Sequence, residues 1–439
     1  MLRKLEYVCL VGAIGLIGAD RIDLAAGHLP FILTPFLVLA SLVLLLHLVR
    51  TPPDRLFRLT ITPPTRRQLP FLAACSLFLC FTFASIPIGL DPDRGLVAFC
   101  DLLVVSFLGY FISVRILDEP AQGRLIVRSV TFALVLYILF CIGECIAWSH
   151  GIFVNTERAG SWLESTFGAS TLGPWVPALS GTTFDPNRSG LILTMYLVLL
   201  DTFVPESRSK MMRVLRYTIA LLVLLALSRS AVLCWSAYYL FSRKFWKRLA
   251  SRRAVIRLAA IVIVSTLVCA AYQAQIANLL EAWEISEVVS TKLSMAQGSS
   301  GESHVLLIER GFKTWLSSPK TIITGIGYAA APKVLEDFFG NDKRANFHCI
   351  YVTALAEMGL PAFLILMFIF GYPVIGRKGA IQGVAAIMVF NISYQSHTEP
   401  VFWLVLALLW SFERKQWPQL RSSAVAGEGL GAAPITAVS

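Results

Sequence analysis

Charge is what this sequence has least of. Asp, Glu, Lys and Arg supply only 15% of its 439 residues, where a soluble domain carries roughly 25%. The hydrophobic share is 56%, so an ordinary soluble enzyme is excluded: too much apolar surface would face water. A cysteine framework is also missing. The nine cysteines contain no CxxC and fall mostly inside apolar runs, which excludes a disulfide or zinc scaffold and makes them small buried hydrophobes. Cys141 and Cys145 share a helix face and read as packing. No repeat of solenoid period and no inverted pair of halves is visible.

Long apolar runs are what the chain has instead. Segments such as Leu29–Val49 and Leu69–Leu90 hold about 20 residues with almost no formal charge, the length that crosses a hydrocarbon layer of roughly 30 Å. Hydropathy punctuated by Lys and Arg predicts an all-α polytopic membrane protein with twelve spans, near 5–26, 29–49, 69–89, 95–114, 129–149, 186–204, 217–228, 230–242, 258–277, 347–371, 380–396 and 400–412. The stretches 217–228 and 230–242 are short, and a re-entrant hairpin fits them as well as two crossings.

Basic residues fix the orientation. With both termini inside, 26 of the 38 basic residues fall in inside segments, and seven of the other 12 lie in one long loop. Short inside loops rich in Lys and Arg are the mark of the cytoplasmic side. The net charge of +11 is then explained by topology and needs no nucleic acid. The N-terminal Arg3-Lys4 and apolar run read as an uncleaved first helix. The expected organisation is a transmembrane catalytic domain over 1–412, extracytoplasmic loops at 151–185 and 278–346, and a disordered cytoplasmic tail over 413–439.

Polar chemistry concentrates on the outer side. Asp185-Pro186 reads as a helix start, Asp at the cap and Pro in the first turn, which places Asn187 and Arg188 at the outer mouth of the next span. Arg229 lies between two apolar half-runs, where a guanidinium is costly unless paired. Its fork suits phosphate oxygens; an internal ion pair with Glu144, Asp101 or Glu357 is the competing reading. In the long loop, Glu302 to Leu316 has helical spacing, with Val305, Ile308, Phe312, Trp315 and Leu316 as an apolar stripe and Arg310, Lys313 and Thr314 turned away from it. Such a helix lies on the membrane or roofs the bundle, and Arg310 then faces the bundle mouth. His348 opens the tenth span and is placed to accept a proton. Glu357, Gly359 and Pro361 follow along that span, where the helix is expected to kink. Arg94, in the outside turn Asp91-Pro92-Asp93-Arg94, is a further cation.

In order, Thr183-Phe184-Asp185-Pro186-Asn187, Leu227-Ser228-Arg229-Ser230-Ala231, Glu309-Arg310 with Trp315, Gly325-Ile326-Gly327-Tyr328, and His348 with Glu357-x-Gly359-Leu360-Pro361 resemble the O-antigen ligase and polymerase superfamily across roughly 70–412. The family's spacing of His, a small polar residue and Gly falls on His348, Cys349 and Gly359; Cys349 departs from the usual Asn, Ser or Gln. The resemblance implies a GT-C-like membrane glycosyltransferase of the bacterial inner membrane, acting on its periplasmic side without cofactor or metal. It implies an undecaprenyl-diphosphate-linked glycan as donor, and lipid A core or a lipid-linked repeat as acceptor. On this reading Arg229, Arg310 and His348 are catalytic, and Arg94, Asn187, Arg188 and Glu357 bind substrate. A secondary transporter is the alternative from another class. It would place ionisable residues near the bilayer midplane.

Overall fold

The computed structural model describes residues 1–24, 33–51, 63–152, 170–172, 176–204, 209–242, 299–339, 345–374 and 380–411. The expected span 258–277, residues 153–169 of the first long loop, residues 278–298 and 340–344 of the second, and the tail 413–439 lie outside the described residues.

The described chain is mostly helical: α1 (Leu2–Gly15), α2 (Pro35–Arg50), α3 (Pro63–Ser85), α4 (Pro92–Asp118), α5 (Gln122–Ser149), α6 (Pro186–Phe203), α7 (Lys210–Leu225), α8 (Arg229–Leu240), α9 (Ser299–Trp315), α10 (Pro319–Thr324), α11 (Ile350–Val374), α12 (Ile381–Phe390) and α13 (Pro400–Ser411). The expected helical class is met, with one short antiparallel pair among the described residues, β1 (Ser170–Leu172) with β2 (Val176–Ala178).

Local chemistry starts many of these helices. A side-chain oxygen accepts an early backbone N–H and proline follows in the first turn. Asp91 takes the Arg94 N–H at 3.3 Å, Asp185 takes the Asn187 N–H at 2.8 Å, and Ser318 takes the Thr321 N–H at 3.1 Å. The predicted helix start at Asp185-Pro186 is therefore present.

Ion pairs show which helix ends meet. Glu6, near the start of α1, bonds Arg115 at 2.9 Å and Arg50 at 3.1 Å, near the ends of α4 and at the end of α2. At the other end, Arg21 pairs with Glu144 of α5 at 2.7 Å, and Arg188 at the start of α6 joins Asp20 to Glu399, which precedes α13. Alternating helix direction is what these pairings require. They also shorten the first expected span: α1 stops at Gly15, and Asp20 and Arg21, read as part of an apolar span, belong to the mouth. Two charges so close to the end of an apolar run are tolerated because both are paired.

The centre of the bundle is α6 and α13, whose residues are almost all buried, including Trp403 and Trp410. Gly109 lets α4 approach α13; a Cβ there would sit 2.7 Å from the Pro400 carbonyl. Outer helices keep apolar faces exposed, Val97, Val104 and Phe107 on α4 and Val135, Leu139, Ile142 and Ile146 on α5. Such stripes suit lipid, and α4, α5 and α11 are long and apolar enough to cross it. The chain 217–242 forms α7 and α8, joined by a tight reversal at Ala226–Ser228, with α7 starting earlier than hydropathy suggested.

The helix read over 302–316 is present as α9, but its packed face differs from the expected stripe. Leu307, Ile308, Gly311 and Trp315 turn inward, whereas Val305, Phe312 and Leu316 are exposed. The period was correct and the phase was not. The wall it packs against, Phe347, Cys349 and Val352, has room for a glycine at 311 and so selects that face.

Candidate active site

The chain enters α11 through a strained turn. His348 has φ +52°, with its backbone N–H given to the Asn346 side chain at 2.8 Å. Left-handed backbone at a non-glycine residue costs about 1–3 kcal/mol and persists only where packing enforces it. Among the described residues the other two cases are Leu227, two positions before Arg229, and Ala329. All three flank the residues singled out from the sequence.

α11 then opens into a π-helical turn at Ala354–Met358, which displaces Glu357 toward the mouth. The expected irregularity is thus a π-turn ending at Gly359, with no break at Pro361. Buried Glu357 accepts the Ala329 N–H at 3.0 Å and the Ala331 N–H at 2.9 Å, and the charge of Arg94 bears on it. Beside it the Gly325–Tyr328 loop runs against the π-turn: the Ile326 and Gly327 N–H groups donate to the carbonyls of Ala356 and Glu357 at 2.8 and 3.0 Å. Gly325 and Gly359 have φ +68° and +82°, and a Cβ at either would meet backbone within 2.3 Å. Glycine is required there by conformation and by space.

His348, Arg94, Glu357, Asn346, Tyr328 and Asp185 line one cavity of about 360 Å³, together with Tyr394, Gln395 and His397 from the turn before α13. That volume suits a ring-sized polar ligand. Burial, with His304 as a smaller second cause, pulls His348 down to about 4, so the imidazole is neutral at pH 7. The two rings meet edge to face at 4.7 Å and 76°. His304 is lowered in turn by burial and then by the charge of Arg229.

Arg229 is the first residue of α8. Ser228 caps that helix, taking the Ala231 N–H at 3.1 Å and donating to the Asn187 side chain at 2.5 Å. Asn187 therefore locks the start of α8 to the start of α6. Two of the three partners considered for Arg229 are engaged elsewhere: Glu144 holds Arg21, and Glu357 holds two backbone amides.

The other two arginines sit differently. Arg188 joins Asp20 and Glu399 and is not among the cavity residues. Arg310 pairs with Asp337 at 3.4 Å, is 40% exposed, and likewise does not line the cavity. His348, Arg94 and Glu357 are therefore brought together, with Arg229 adjoining through His304. Sequence reasoning missed His304. Its signal, a lone polar residue one turn before Leu307 and Ile308 on the packed face of α9, depends on knowing which face packs.

A helical, membrane-type bundle with a neutral histidine, cations and a buried carboxylate around an end-facing cavity is the class defined so far. Within it, residues 217–367 match the family model described as O-antigen ligase. The matched stretch runs from α7 through most of α11 and carries Arg229, His304, Arg310, His348 and Glu357. The match covers half of the cavity lining, leaving Arg94, Asp185, Tyr394 and His397 outside it, and the likeness is to proteins of the O-antigen ligase or polymerase type. No curated protein matches the chain.

Proposed function

We propose that this protein is an inner-membrane glycosyltransferase that moves a glycan from undecaprenyl diphosphate to an acceptor hydroxyl on the extracytoplasmic side. The observation that carries the reading is a half-buried, neutral His348 in a sugar-sized cavity that Arg94 also lines, with the charge of Arg229 reaching the neighbouring His304. A lipid diphosphate is already a good leaving group, so the site needs cations and a base and no protein nucleophile. His348 takes the proton of the acceptor hydroxyl. The oxygen attacks the anomeric carbon as the bond from that carbon to the phosphate oxygen breaks, undecaprenyl diphosphate leaves with the electron pair, and the configuration inverts.

Arg229 holds the diphosphate as its charge develops, and Arg94 supports it from the cavity wall. Arg310 is the outer cation, reaching the donor when it exchanges Asp337 for phosphate. Glu357 fixes the Ala329–Ala331 loop that forms part of the wall; Asn187 and Arg188 hold the helix starts in place. The twelve-span topology and GT-C-like architecture belong to the same proposal. An apolar groove of about 560 Å³ between α5 and α7, lined by Ile138, Ile142, Ile146, Leu221 and Leu225, suits a polyprenyl chain entering from the lipid.

Ligase and polymerase differ in acceptor alone. The test is purified protein in lipid vesicles with undecaprenyl-diphosphate glycan and two acceptors, lipid A core and a lipid-linked repeat. Glycan on either, with equal release of undecaprenyl diphosphate, supports the reading and selects the acceptor. Transport of the donor across the vesicle without transfer rejects it in favour of a flippase.

A further inference from the structure

His304 is half-buried, carries no role in the scheme above, and touches the residue proposed as base. Its Nδ1 is enclosed with no hydrogen-bond partner among the described residues. Leaving such an atom unsatisfied is costly, a cost that a plain packing residue at this position would avoid.

Its surroundings are tightly specified. α9 clamps the segment leading into α11: Leu307 packs with Phe347, Cys349 and Val352, and a Cβ on Gly311 would lie 2.2 Å from Val352 Cγ1. The clamp brings the two imidazoles to 4.7 Å at 76°, against the side of a residue already held in left-handed backbone. The charge of Arg229, at the start of α8, also reaches His304. The order Arg229, His304, His348 is therefore one of contact and field, built from α8, α9 and the start of α11.

We propose that His304 is a positioning residue that fixes the imidazole of His348 and couples it to the cation at Arg229, so that an anionic donor bound there raises the proton affinity of the base. This rests on the reading of His348 as base and Arg229 as diphosphate ligand. Without donor, a proton on either imidazole adds positive charge beside Arg229; a bound diphosphate offsets that charge. Other groups face His348 as well: Arg94 from α4, Glu357 from α11, Asp185 before α6, Tyr328 from the glycine loop, and Tyr394 and His397 before α13. Arg94 is already opposed by Glu357, which leaves Arg229 as the cation whose balance changes most. The consequence is order: the base strengthens once the donor is in place, and an acceptor hydroxyl is not deprotonated before then.

The test compares two pH profiles for transfer in vesicles. The acid limb of kcat/KM for donor reports free protein and that of kcat reports the complex. The expected separation is about one pH unit, the kcat limb lying higher, equivalent to a tenfold change in proton affinity. His304→Phe keeps a ring against His348 and should draw the limbs together. His304→Ala removes the support and should lower kcat about 10- to 100-fold with donor KM little changed, much of it recovered in His304→Phe. Thermal unfolding of each variant separates misfolding from catalysis, and His304→Gln serves if the alanine protein fails to fold. Limbs that stay apart in His304→Phe, or a folded His304→Ala with wild-type kcat, overturn the coupling. His348→Ala run alongside keeps the cases apart: undiminished transfer there rejects the base itself, whereas lost transfer with indifferent His304 variants rejects only this inference.

Discussion

Arg229 and Glu357 show how differently two charged residues in apolar surroundings can be used. Arg229 begins α8, and two of its candidate carboxylates, Glu144 and Glu357, are committed elsewhere; Glu357 has both oxygens on backbone amides. Arg229→Ala should lower transfer about 10²- to 10³-fold, the usual cost of one donor to a developing oxyanion. Arg229→Lys should recover little, because a single ammonium replaces a two-pronged fork; steady-state transfer rates in vesicles check both. Glu357→Ala leaves two buried N–H groups unpaired at about 1–3 kcal/mol each, so its thermal unfolding midpoint should fall well below that of Glu357→Gln, which keeps one acceptor. Both residues stood out in the sequence because charge among apolar residues is conspicuous. Their partners did not: Arg188 also looked like a mouth cation, yet Asp20 and Glu399, far away along the chain, take its guanidinium.

Elements position these side chains through close helix contacts. α6 and α8 cross at Gly190, where a Cβ would come within 1.9 Å of the Ala231 Cβ. Gly190→Ala must therefore push α8 outward and carry Arg229, two residues from Ala231, with it. Activity and unfolding midpoint should both drop although no cavity residue changes, and Gly190→Ala with Ala231→Gly should restore part of each, as a double-mutant cycle would measure. The helices themselves were largely legible, since apolar length and Asp-Pro starts are local signals. The phase of α9 was not, because 100° spacing fixes a period and leaves the choice of face to tertiary packing. His304 was missed for that reason: it belongs to the face turned toward Phe347 and His348.

At the scale of the whole molecule, sparse charge divides between two ends of a helical bundle, one end closed by Glu6 with Arg50 and Arg115, the other holding the cavity. The positions of the charges predict that division, and the resemblance to O-antigen ligases leads to the proposal that the chemistry lies at the cavity end. It did not foretell that Arg310 pairs with Asp337 away from the cavity lining. The pH response follows from His348 at about 4. Its folded value lies below the unfolded 6.5, so its contribution to stability is full above pH 6.5 and is lost as pH falls through about 4. Without bound donor, unfolding midpoints should be flat above pH 7 and decline between pH 6.5 and 4, a decline that His348→Gln reduces.

The most direct measurement is the single-turnover rate of glycan transfer by wild-type protein and His348→Ala in the same vesicles, with donor binding measured in parallel. Loss of a general base should lower the rate about 10²- to 10⁴-fold while donor binding is retained. Transfer by His348→Ala at the wild-type rate would contradict the assignment of His348 as the base.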